Sequence, residues 1–274
     1  MDNPVYNSIN ITGTAATITA LLGVEAPAGF AEPISPVLSK ASKAFSGGKA
    51  DKVIMYNPDA VALWLYQKYT HLFSDVLMNS SMMLPIESVM PSVTPVCFAS
   101  MYTGVMPEVH GIQSYTKPVL KIDTVFDALI RQGKKPVIVS TSGDSISKIF
   151  LEREMDYYIY DTIEECNAKA QEIIKDGDFD LLVLYNGNFD STMHKNGPES
   201  EAALKVLSEN SEAFASLGGL IKEYRRNENC CLFYAPDHGC HEIDGECGSH
   251  GLLMEEDMNI VHFYEFFAKR LQNA

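Results

Sequence analysis

The sequence predicts an α/β fold, a central and mostly parallel sheet with helices on both faces. Two observations lead there. Short runs at residues 52–57, 136–140, 179–185 and 230–234 are apolar without alternation, which is how strands buried on both faces read. Segments with helical periodicity separate them, and strands alternating with helices build layered α/β sheets. The 274 residues suffice for a substantial core. We expect a single domain over residues 1–274, with residues 113–160 as a possible small sub-lobe.

Taken in order, residues 8–22 and 34–45 read as helices, the second ended by Gly47-Gly48. Gly47-Gly48-Lys49 is not a phosphate loop, because the upstream Gly and the following Ser or Thr are missing. The first strand, 52–57, hands over through Pro58-Asp59 to a helix expected over 61–71. Residues 89–93 read as extended and enter a short helix over 96–102. Thr94 is then expected at its N-cap and Pro95 at its first position, with Gly104 and Pro107 as the stop. Residues 123–132 predict a helix closed by Gly133. A turn at 142–145, a short strand at 157–160 and a helix over 162–175 follow. The clearest strand, 179–185, opens into a loop over 186–200, and a long helix is expected over 199–225. After the strand at 230–234 comes Ala235-Pro236-Asp237-His238-Gly239, then a Gly/Cys/His loop to His250-Gly251. Phe263, Phe266, Phe267 and Leu271 fall at helical spacing and predict an amphipathic helix over 260–271.

Composition narrows the partners. The net charge of −15 argues against nucleic acid and anionic membranes, which want a basic face. A small anionic substrate is compatible with it if metal ions reverse the local field. The six cysteines contain no CxxC pair. Cys230 and Cys231 read as core thiols, and Cys240 and Cys247 flank a loop and could pair. The N-terminus lacks a basic signal start, and the apolar patch at 15–22 is too short to span a membrane. The chain therefore reads as cytoplasmic and reduced.

The chemistry gathers at one edge. Asp59, Asp190 and Asp237 each follow the C-terminal end of an apolar strand, where open α/β sheets bind ligands. His194 lies four residues after Asp190, His238 adjoins Asp237, and His250 sits between glycines. With Thr94, seven side chains are expected in loops on one edge. Carboxylates mixed with imidazoles suit Zn²⁺, and Mn²⁺ tolerates the same ligands. Seven ligands suit two ions, and two divalent ions can hold both oxygens of a phosphoryl transfer. Locally Thr94 reads equally as a cap and as a nucleophile, and the cap is the commoner role. Beside a metal ion its hydroxyl would be readily deprotonated.

A strand ending in Asp59, then Thr94 ahead of Thr103-Gly104 and Pro107-Glu108-Val109-His110-Gly111-Ile112, then Asp190-Ser191 with His194 and Gly197-Pro198, then Asp237-His238-Gly239 and His250-Gly251, together resemble the alkaline phosphatase superfamily. The likeness is greatest to its nucleotide pyrophosphatase/type I phosphodiesterase branch and covers roughly residues 51–251. The resemblance implies that Asp190, His194 and His250 hold one zinc and that Asp59, Asp237 and His238 hold the other. It implies Thr94 as the nucleophile, bridging toward both ions, and a phospho-threonine intermediate that is then hydrolysed. Departures are visible. Cys97 stands where the branch usually has an Asn, Phe189 replaces a Pro before Asp190, and Met193 replaces a Gly before His194. The usual sulfatase pattern is absent, since Thr94 holds the slot of the modified Cys. His110 and His241 read as turn and loop residues, while His71 and His262 are assigned to helices. Asn57, Tyr185 and Asn186 read as strand-end packing, with pocket lining as the alternative.

The expected function is metal-dependent hydrolysis of a phosphodiester, phosphomonoester or phosphonate through Thr94 and two divalent ions, acting on a small phosphorylated substrate. The alternatives are a phosphomutase-like transferase and a family member that binds without turnover. Oligomeric state is left open.

Overall fold

The computed structural model describes residues 4–270. Helices α1 (Gly13–Leu22) and α2 (Ser35–Ala44) precede strand β1 (Lys52–Pro58). The helix expected over 61–71 is two pieces, α3 (Leu63–Lys68) and a 3₁₀ turn at Thr70–Phe73. Helix α4 (Ser74–Met78) and strand β2 (Met82–Glu87) occupy a stretch for which no element is expected. Pro85 hides β2 from sequence reading, because Pro removes a ladder donor; it is tolerated here because β2 is an edge strand.

The chain continues through α5 (Thr94–Thr103), α6 (Pro107–His110), α7 (Val125–Arg131), β3 (Pro136–Thr141), α8 (Ile146–Ile149), β4 (Asp156–Tyr160) and α9 (Ile163–Asp176). Helices α7 and α9 both start with capping boxes, Thr124 with Asp127 and Thr162 with Glu165. Strand β5 (Leu181–Asn186), α10 (Asn188–Asn196), α11 (Glu201–Tyr224) and β6 (Cys230–Tyr234) follow. The hairpin β7 (His241–Ile243) and β8 (Cys247–Ser249), helix α12 (Glu255–Met258) and strand β9 (Asn259–Phe267) complete it.

Seven strands form one sheet in the order β2-β9-β6-β1-β5-β3-β4, parallel except that β9 runs antiparallel to β6 and β2. Residues 136–141 and 156–160, within the 113–160 segment, pair into this sheet. Alternate residues of the central strands feed two cores. Val53, Met55 and Val183 face α1, α5 and α7, whereas Ile54, Tyr56 and Leu184 face α9 and α11. Both faces are covered, which is why β1, β5 and β6 read as unbroken apolar runs. Among the described residues, no helix is long and apolar enough to cross a membrane.

The C-terminal helix is a correction. Residues 259–267 are β9, buried along most of its length. Its run Ile260-Val261-His262-Phe263-Tyr264 is β-branched and aromatic, the composition that packs well on a pleated, covered surface. The helical spacing of Phe263, Phe266 and Phe267 is incidental, and Leu271 lies outside the described residues.

Candidate active site

Strands β6, β1 and β5 are neighbours and parallel, so their C-terminal ends open on one edge. Asp59 follows β1, Asp190 lies in the first turn of α10 after β5, and Asp237 lies three residues past β6. The expected loop over 186–200 is corrected here: α10 carries Asp190 and His194 one turn apart. That spacing puts them on one helix face, and His194 Nε2 lies 3.3 Å from Asp190 Oδ1.

Thr94 is not the N-cap. Val93 is, with an extended backbone, and Thr94 and Pro95 are the first two helical residues of α5. The Val93 carbonyl accepts from both Val96 N and Cys97 N, so the backbone does the capping. The Thr94 hydroxyl is left to the site, where it donates to Asp59 Oδ2 at 3.3 Å and lies 3.3 Å from His238 Nε2.

The structure brings the expected ligands into two groups. Asp190, His194 and His250 form one, and Asp59, Asp237 and His238 the other; within each, the ligand atoms lie within 4.8 Å of one another. The second group is fully buried, while His194 in the first is 41% exposed. Each imidazole gives its Nδ1 to a backbone carbonyl at 2.9 Å: His194 to Gly248, His238 to Gly239, His250 to Ser92. A carbonyl only accepts, so Nδ1 carries hydrogen in all three, and Nε2 is the atom turned to the centre.

Those inward atoms lack ordinary partners. His194 and His250 face each other Nε2 to Nε2 at 3.1 Å, with Asp190 Oδ1 3.3 Å from both. His238 Nε2 lies 3.3 Å from Asp59 Oδ1 and 3.4 Å from Asp237 Oδ2. Asp59 Oδ1, Asp190 Oδ1 and Asp237 Oδ2 are buried without a hydrogen bond. Acceptors crowded this way need positive charge among them, as protons or as a cation.

The titration behaviour follows from that crowding. Burial, then the Asp190 carboxylate, raises Asp59 to about 7. Asp237 rises well above the carboxylate range through burial and Asp59. Burial resists ionisation of Asp190 as well, but the His194 and His250 imidazoles beside it outweigh it and hold Asp190 low. Burial and the neighbouring His250 depress His238 to about 3, which keeps it a neutral imidazole, the form that binds metal. His194 is raised by Asp190, and so is His250, against its burial.

Further residues support or surround the site. Tyr185 donates its hydroxyl to Asp59 Oδ2; it ends a strand facing the edge, and that position was its only signal. Ala60 adopts φ 63°, a left-handed conformation strained for a residue with a Cβ, and its N–H reaches Asp237 Oδ1 at 3.4 Å. His262, expected in a helix, is a buried β9 residue whose Nε2 donates to the Pro236 carbonyl at 2.8 Å, just before Asp237. His110 bonds Ser100 at 2.9 Å and accepts from Ile112 N. His241 bonds Asp257. Cys97 points its thiol at Ser88 and the carbonyl of Val89, and burial, then Asp237, pushes it well above the usual thiol range. All six cysteines are free, Cys240 and Cys247 included.

A cavity of about 300 Å³ opens beside Asp59 and Asp190, lined also by Tyr185, Tyr115, Lys117 and Asp144 among others. Lys117 donates to the Gly143 carbonyl at 2.9 Å and lies 5.1 Å from the Tyr115 ring centroid.

Comparison with known proteins gives the same outline. Residues 58–128 match the family model for type I phosphodiesterase/nucleotide pyrophosphatase. The chain is 26% identical over 181 residues to the catalytic subunit of human GPI ethanolamine phosphate transferase 2, covering 62% of this chain and 18% of that protein. Its fold matches human ectonucleotide pyrophosphatase/phosphodiesterase 5 with a TM-score of 0.57 at 19% identity, covering 70% of this chain and 58% of that one. It matches phosphonoacetate hydrolase from Sinorhizobium meliloti, solved with phosphonoformate, with a TM-score of 0.56 at 18% identity, covering 72% and 59%. The chain thus spans under a fifth of the curated relative and about three fifths of these solved chains. The family match over residues 58–128, with the fold shared with these solved chains, supports the alkaline phosphatase superfamily, on its nucleotide pyrophosphatase/phosphodiesterase branch.

Proposed function

We propose that the chain is a metal-dependent phosphohydrolase with Thr94 as its nucleophile. The observation that carries this reading is the set of inward acceptors: three Nε2 atoms freed by Nδ1–carbonyl bonds, facing three buried carboxylate oxygens without hydrogen bonds. That donor set fits divalent cations. Asp190, His194 and His250 would hold one ion, and Asp59, Asp237 and His238 the other. The ligand chemistry favours Zn²⁺, with Mn²⁺ tolerated. When bound, the ions supply the positive charge that an anionic phosphoryl group needs and that favours the Thr94 alkoxide.

The chain's own residues then do the following. Asp59 and His238 hold the Thr94 hydroxyl at the start of α5, so that its oxygen faces the edge. That oxygen forms a bond to phosphorus as the bond to the leaving group breaks. The Thr94 proton leaves with the departing group; water then attacks the phospho-threonine, its oxygen bonding to phosphorus as the P–Oγ bond breaks, and one water proton returns to Thr94 Oγ. The leaving group lies in the cavity beside Tyr115 and Lys117. A small phosphodiester, phosphomonoester or phosphonate is the substrate class. Transfer to an alcohol in place of water is the second reading, favoured by the match to a transferase.

The test is metal analysis joined to a screen of aryl phosphate monoesters, diesters and phosphonates, with Thr94→Ala in parallel. We expect two divalent ions per chain, turnover of at least one class, and at least about a hundredfold loss of turnover in Thr94→Ala with metal retained, the scale of a lost nucleophile. Full activity without metal, or in Thr94→Ala, rejects the mechanism.

A further inference from the structure

The two ligand groups draw on turns from separate parts of the chain, and something outside both must set their spacing. We propose that the buried Asp257–His241 pair is the positioning element that holds the His238 and His250 turns in register; the inference rests on the metal-centre reading above. Asp257 lies on α12, is fully buried, and belongs to neither group. Its Oδ1 takes the His241 Nδ1 hydrogen at 2.7 Å. Its Oδ2 accepts from Leu252 N at 2.8 Å, two residues past His250. Its backbone carbonyl accepts from Gly239 N at 2.7 Å, one residue past His238. One residue therefore grips both turns.

The packing beside it admits little play. A Cβ on Gly239 would lie 2.0 Å from the Glu256 carbonyl oxygen, so the chain after His238 rests directly on the backbone of α12. The approach to Thr94 ties to the same point, since Ser88 N donates to Met258 O at 2.8 Å and Ser88 Oγ to Asp237 O at 2.6 Å. Leu252 O accepts from Ser92 Oγ at 3.3 Å, and Ser92 O accepts from His250. A shift of Asp257 moves His238 and His250 together, one from each group.

Stripped protein titrated with Co²⁺, whose absorption spectrum reports the ligand field, tests this without recourse to turnover. Wild type is expected to bind two equivalents. Asp257→Asn keeps shape but cannot accept from both Leu252 N and His241 Nδ1–H. It should bind both equivalents about 10–100-fold more weakly, the cost of losing an outer partner of a metal ligand, with an altered spectrum. His241→Ala, on a half-exposed hairpin, should weaken them in the same direction and covers the case in which Asp257→Asn does not fold. A folded variant of either kind with wild-type affinity and spectrum overturns the proposal. A wild type that binds no Co²⁺ overturns the metal reading instead.

Discussion

Each candidate histidine ligand owes its tautomer to a backbone carbonyl, and each carbonyl comes from a different place: a strand, the adjacent turn, and the segment before α5. This arrangement turns three titratable side chains into donors with a fixed open nitrogen. Tyr185 plays the matching part for a carboxylate. Burial and the Asp59 charge keep its phenol protonated, so it stays a donor to Asp59 Oδ2, leaving Oδ1 for the centre. Tyr185→Phe removes that donor at almost constant volume. We expect metal affinity or kcat to fall about 10–100-fold with a Tm change within a few degrees, read by metal titration beside steady-state kinetics; wild-type values for both would reduce Tyr185 to packing. The seven ligand-type residues are legible by type, and the three aspartates also by their places just after apolar strands. Tyr185 and Asp257 are not, because their roles depend on what lies opposite them across the fold. Cys97, standing where the branch usually has an Asn, is packed in the helix as its surroundings suggest: the turn of α5 aims its thiol at Ser88 and Val89.

Secondary-structure elements set how firmly these residues are held. Helix α10 carries Asp190 and His194, and hairpin strand β8 lies against it to offer the Gly248 carbonyl to His194. That approach is close: a Cβ at Gly248 would sit 2.5 Å from Met193 Sδ and 2.8 Å from Met193 O. Gly248→Ala must push β8 off α10, since a backbone oxygen cannot yield as a side-chain tip can. His194 then loses its carbonyl and its fixed tautomer. We expect one of two bound metal equivalents to weaken about 10–100-fold while the other is held. Equal weakening of both, or of neither, in the same titration would contradict a separate role for the hairpin. The parallel strands were legible because burial on both faces leaves no polar alternation to confuse them. Helix α10 reads as loop in the sequence because Asn188, Asp190, Ser191, Asn196 and Gly197 are turn residues by composition, and only tertiary contacts with α11 and β8 make the helix. Strand β9 failed for the opposite reason, since an aromatic run buried on both sides satisfies any period.

Over the whole molecule, an acidic chain of net charge −15 folds so that three carboxylates converge at the ends of three adjacent parallel strands. That convergence opposes folding unless positive charge accompanies it, and the stability of the stripped protein should show this. Below the unfolded histidine value of 6.5, His238, His110 and His262, depressed to about 3, 4 and 4, mainly by burial, take up protons only on unfolding. Their contribution therefore rises with pH up to that point and is then constant. Asp59, raised to about 7, Asp237, and the raised His194 and His250 hold protons in the folded state that the unfolded chain gives up. A raised pKa contributes stability below the unfolded value and loses it as pH climbs through the folded one. Above about pH 6.5 only these losses remain, so the Tm of stripped protein should fall as pH rises toward about 8.5. A divalent cation takes the place of those protons and its affinity grows as they leave. Calorimetry with and without Zn²⁺ should therefore show a Tm gap that widens with pH across this window. A gap independent of pH would mean that the converging carboxylates and imidazoles are not where the metal binds.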